Sequence, residues 1–149
     1  MDMWSKSNSI KLSSILVKFM FVCCVAAVFL VPAVSKFYDG VSAREPVFLP
    51  LCLTLYFALV PAFILLVNLN ELIENMRDEK VFIERNCAIL RLMSYCCFAI
   101  AAIFFGFGFF RFLAFLISFA AVFFGIILRV LKNVFVKAVE IREENDAVI

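Results

Sequence analysis

The side chains able to do chemistry in this sequence are six cysteines and a set of carboxylates and bases outside its apolar runs; histidine is absent. Without imidazole there is no HExxH zinc site and no Ser-His or Cys-His pair, and neither GxSxG nor a glycine-rich phosphate loop occurs. Cys23 and Cys24 are adjacent, as are Cys96 and Cys97, and neighbours on a helix point about 100° apart, away from any shared ion. Cys52 lies alone in another apolar run, and Cys87 stands just before one, at a membrane edge where acylation occurs. Small apolar packing is the expected role of all six. Asp and Glu fall only in segments that read as water-facing, so no carboxylate pair is poised by burial for acid–base work. The sequence predicts no catalytic residue, no metal site, no cofactor and no enzyme.

The elements that would have to position such groups are dominated by hydrophobic length. Of 149 residues, 66% are hydrophobic and 17% charged, with a mean hydropathy of +1.07, against about 25% charged in ordinary soluble domains. So short a chain cannot bury that much apolar surface in a water-facing core, whereas lipid accepts it. Twenty Phe against one Trp point to bulky lipid-facing surfaces with a sparse aromatic belt. The net charge of +2 gives no basis for a nucleic-acid partner.

Four spans are expected, making an all-α polytopic membrane protein of one domain, 1–149. The first, 15–34, is about twenty residues, the length of a ~30 Å hydrocarbon core at 1.5 Å per residue. Ala33-Val34-Ser35 fits a leader-cleavage pattern, but the apolar run exceeds the ~7 to 15 residues of a leader, so the helix is expected to be retained. SKFYDGVSAREP follows as a short exterior loop, with Asp39-Gly40 as its turn. The second span is 48–69, with Pro61 predicting a kink. The apolar stretch 92–128 is too long for one crossing. Gly106 and Gly108 loosen it before Arg111, which predicts a hairpin with Arg111 at the far interface and spans at 92–110 and 112–128.

Orientation follows from the basic residues. Lys6, Lys11, Lys18, Arg77, Lys80, Arg85, Arg91, Arg129, Lys132, Lys137 and Arg142 fall on one side, against Lys36, Arg44 and Arg111 on the other. Both termini, the segment 70–91 and the tail 129–149 are therefore expected in the cytoplasm of a multi-pass cell-membrane protein.

Those two segments are amphipathic. Leu69, Leu72, Ile73 and Met76 form a helical stripe continuing out of the second span, and Phe82, Asn86, Ile89 and Met93 form one entering the third. In the tail the expected stripe is Val130, Val134, Ala138 and Ile141. The segments are expected to cover each other, with Arg77, Lys80 and Arg85 available to pair with Glu140, Glu143, Glu144 and Asp146. Their mixed sign argues against a polybasic lipid-binding patch.

The stretch EKVFIERN, with Phe82, Glu84 and Asn86, then Leu90-Arg91, and the tail VFVKAVEIREENDAVI, with Glu143-Glu144-Asn145-Asp146 and Ile149, resemble the bacterial four-span membrane family called domain of unknown function 2975. The resemblance extends over nearly the whole chain; Ala147-Val148 depart from the expected Leu-Thr type pair. It implies a membrane partner for a small helix-turn-helix regulator of the Xre or Cro type. The expected activity is then regulation through a docking face, with Phe82 and Ile141 as apolar anchors and Arg85, Asn86, Glu144, Asn145 and Asp146 as polar determinants. The competing reading is a homo-oligomeric transporter or exporter of small apolar molecules, in which Tyr56, Pro61 or Ser118 would matter more.

Overall fold

A computed structural model describes residues 6–43 and 45–148, without the side chains of Lys6, Ser7 and Val148. Arg44 and Ile149, used above for orientation and resemblance, lie outside the described residues, as does the Lys6 side chain. Four helices make up almost all of it: α1 (Lys6–Val41), α2 (Phe48–Arg77), α3 (Glu84–Phe107) and α4 (Leu113–Val148). Each is long and apolar enough to cross a membrane, and there is no strand among the described residues. The protein is an all-α, four-span membrane protein.

The helices form an open row. α1 packs on α2, α2 on α3 and α3 on α4, and among the described residues no other pair of helix backbones comes together. Short connections make successive helices antiparallel, so the connection 78–83 and both ends of the described chain share one end of the row, hereafter the charged end.

Hydroxyls tie the spans together. Ser94 Oγ on α3 donates to the Gly125 carbonyl on α4 at 3.0 Å, and Ser118 Oγ on α4 donates to the Ala101 carbonyl on α3 at 2.7 Å. Gly125 is required there by space, since a Cβ at that position would stand 2.8 Å from the Phe98 ring. On the other side of the row, Tyr56 of α2 donates to the Val28 carbonyl of α1 at 3.0 Å. Asn68, a buried amide within the second span that the sequence reading passed over, donates to the Ile64 carbonyl at 2.7 Å. It is satisfied inside its own helix.

Two expectations about the opposite end are corrected. Asp39-Gly40 is not a turn: α1 continues to Val41, because the Asp39 carboxylate accepts the Val47 N–H at 2.9 Å and closes the connection from within the last helical turn. Gly108 is not there for backbone freedom, having an ordinary right-handed φ of −56°. It makes room for Phe115, whose ring lies 2.5 Å from where a Cβ would be. The hairpin between α3 and α4 does fall at Arg111, but that side chain is only 9% exposed. It donates from Nε to the Tyr38 hydroxyl at 3.1 Å, from Nη1 to the Phe110 carbonyl at 3.1 Å and from Nη2 to the Glu45 carbonyl at 2.6 Å. One guanidinium thus latches the α1–α2 connection to the α3–α4 turn.

At the charged end α2 closes through Glu79, the one non-glycine residue with positive φ among those described, at 62°. Its N–H meets the Met76 carbonyl, and the Lys80 N–H reaches back to Asn75, as at a helix C-terminus that favours glycine. Glu79→Gly is expected to raise the unfolding free energy by about 0.5–1 kcal/mol, read by equilibrium unfolding in micelles.

Candidate docking face at the charged end

The charged end is built on a core in which Leu72 of α2, Ile89, Leu90 and Met93 of α3 and Phe135 and Val139 of α4 are buried together. Of the two amphipathic stripes read on either side of the 78–83 connection, Leu72, Ile73, Asn86, Ile89 and Met93 are buried and Leu69 and Met76 partly so, while Phe82 is exposed. The tail stripe is corrected. Its packed face is Leu128, Phe135 and Val139, while Val130, Val134 and Ile141 are exposed. The tail helix carries apolar residues on two faces, and the one bearing Phe135 wins because a large ring fills the space against α3.

Asn86 is 0% exposed and leaves the set of docking determinants. Its Nδ2 donates to the carbonyls of Lys80 at 2.9 Å and Val81 at 2.6 Å, and its Oδ1 accepts from Asn75 Nδ2 at 2.9 Å. The amide therefore organises the turn from α2 to α3. A polar amide on an otherwise apolar stripe was the sequence signal for such a role.

Arg85 is also occupied. It forms a two-pronged pair with Glu71 of α2, Nε to Oε1 at 2.8 Å and Nη2 to Oε2 at 2.9 Å. This is the one ion pair among the described residues, so the expected charge pairing between the middle segment and the tail is replaced by a pair between α2 and α3. Both partners are substantially exposed, and such pairs contribute roughly 0 to 1 kcal/mol.

Besides the shared core, the middle segment meets the tail at the surface through Phe82. Its ring meets Phe135 edge to face at 5.4 Å, and its carbonyl accepts from Arg142 Nη1 at 3.4 Å. Arg142 was not among the expected site residues. Phe82 nonetheless remains 42% exposed, and shallow grooves flank it. One, of about 420 Å³, is lined by Phe82, Ala138, Ile141, Arg142, Asn145 and Asp146. The other, of about 380 Å³, runs past Ile83 and Glu84 to Glu143. Four expected determinants, Phe82, Ile141, Asn145 and Asp146, are thus brought to one place. Glu144 is exposed and lines neither groove.

The face offers an aromatic anchor, an aliphatic neighbour at Ile141 (49% exposed) and donors and acceptors of both signs. Among the described residues no three Cys, Asp or Glu side chains are grouped to hold a metal ion. All six cysteines are free thiols, with Cys87 buried in the core of this end.

No curated protein and no solved structure matches the chain. A family model described as protein of unknown function (DUF2975) matches residues 40–149. The match is shorter than the resemblance read above, leaving nearly all of α1 outside, but it takes in both motifs that carried that resemblance. The four-span chain therefore belongs to the DUF2975 family, whose function is unknown.

Proposed function

We propose that this integral membrane protein is a regulatory partner for a soluble cytoplasmic protein, which docks on the face formed by Phe82 and the α4 extension. In this reading the charged end lies in the cytoplasm, following the excess of basic residues there, and the partner is a small helix-turn-helix regulator. The observation that carries it is the half-exposed Phe82, set beside Ile141, Asn145 and Asp146 in one groove. An aromatic anchor ringed by polar groups is the composition of a binding hot spot. A change in how the spans pack would move α4 against α3 and alter the groove, coupling bilayer to partner.

The exporter reading draws on the apolar groove of about 510 Å³ between α1 and α3, floored by Ala58 and Ala62 of α2. The hydroxyls it would use are engaged elsewhere, Tyr56 on Val28 and Ser118 on Ala101, so docking is the better supported of the two.

The test is crosslinking in native membranes followed by pull-down with the intact chain, with Phe82→Asp, with Ile141→Asp and with a chain ending at Glu140. A soluble helix-turn-helix protein recovered with the intact chain and lost at least roughly tenfold in all three variants is expected; membrane insertion should be retained. Recovery of nothing but copies of the chain itself would overturn the docking reading.

A further inference from the structure

A second groove at the charged end is separate from the Phe82 face. It has a volume of about 620 Å³ and lies between the start of α1 and the end of α2, with Lys11, Lys18 and Arg77 on its walls above Ile15, Ile73 and Met76. We propose that it binds the headgroup of an anionic phospholipid, with the phosphodiester held by the three cations and an acyl chain lying along the apolar floor.

Depth is the first argument. Tyr38 is tied to the Arg111 turn and marks the opposite boundary. Lys18 is twenty residues back along α1, so about 30 Å away, the thickness of the hydrocarbon core. Lys11 lies two turns further, about 10 Å beyond it. Arg77, at the end of a 30-residue helix that starts at the Tyr38 boundary, falls in the same outer layer. The cations therefore bracket the headgroup region, and the isoleucines and methionine between them reach toward the chains.

Charge and access are the second. All three cations are exposed, and none is in an ion pair among the described residues. Glu74 and Glu79 line the same groove, leaving an excess of one positive charge, which complements a lipid of charge −1. A lipid bearing its own amine adds a cation to a groove that already has one to spare. Because α2 is the only helix packed on α1 among the described residues, the groove stays open sideways toward the bilayer. The mixed-sign sequence that argued against an extended polybasic patch is compatible with this single, shaped site.

The probe is an equimolar mixture of phosphatidylglycerol and phosphatidylethanolamine with mass-distinguishable chains, added to the purified full chain in micelles and read by native mass spectrometry. Retention of one phosphatidylglycerol in at least about tenfold preference is expected, with a further loss of about tenfold in Lys11→Gln/Arg77→Gln and in Lys18→Gln. Lys132→Gln/Lys137→Gln, on α4 and remote from α1, should retain it at the level of the unchanged protein. Equal retention of the two lipids, undiminished retention in both groove variants, or the same loss in the α4 variant would each overturn the proposal. Displacement of the lipid by millimolar glycerol 3-phosphate would do so as well, by assigning the cations to a soluble phosphate.

Discussion

Asn86→Leu is expected to lower the free energy of unfolding by about 3–4 kcal/mol in equilibrium unfolding in micelles followed by helical circular dichroism. The substitution keeps the branched shape and the number of heavy atoms but removes three hydrogen bonds at a site of 0% exposure. The groups left behind are the Lys80 and Val81 carbonyls and the Asn75 amide. Two of these are backbone and cannot be substituted away, so the cost is that of stranded polar groups rather than of the bonds alone. Asn75→Ala removes one bond and should cost about 1 kcal/mol. Asn86→Asp keeps the acceptor but turns a carboxylate toward two carbonyls, and should be at least as damaging as leucine. A loss below about 1 kcal/mol for Asn86→Leu would mean that the turn is held by the surrounding Ile89 and Phe135 packing instead.

Arg111→Met is expected to cost about 2–3 kcal/mol in the same measurement, with the damage concentrated at the opposite end. Methionine keeps much of the stem but none of the three donors, and Arg111 reaches Tyr38 and Glu45 across 73 and 66 residues of chain. Amide exchange at Val47, whose N–H is held by Asp39 in the same connection, should become faster. Arg111→Lys should recover less than half of the loss, because one ammonium cannot span acceptors arranged for a planar fork. Tyr38→Phe tests the latch from the other side and should cost about 1 kcal/mol. Equal stability of the methionine variant and the unchanged protein would show that Arg111 merely occupies the space.

The four apolar helices were legible because hydropathy and length determine them, and the break between the last two falls at Arg111; the helices themselves run past the apolar runs, α2 to Arg77 and α3 from Glu84, because their amphipathic ends pack on one another. What was missed has local physical causes. Apolar residues on two faces of the α4 extension make two stripes of the same period, and only the fit of Phe135 against α3 distinguishes them. Asp39-Gly40 has the composition of a turn, but a carboxylate eight residues from its amide partner holds the helix past it. Arg85 and Asn86 read as free polar groups because their partners, Glu71 and Asn75, are brought close by the tight connection at 78–83. Phe82 and Ile141, read by type and spacing, line one groove together with Arg142, which the sequence reading lacked because its partner is a backbone carbonyl.

The open row has a consequence for its first helix. Among the described residues α1 packs on α2 alone and is joined to the rest by the Tyr56 bond, the Asp39 bond to Val47 and the Arg111 latch. The family match begins at residue 40, within the last turn of α1. The first helix is bound at two levels: Val17 is buried with Leu66 and Ile73 of α2 near the charged end, and Tyr38 is held by Arg111 at the other, so α1 is clamped at both ends of the row while one of its flanks stays open.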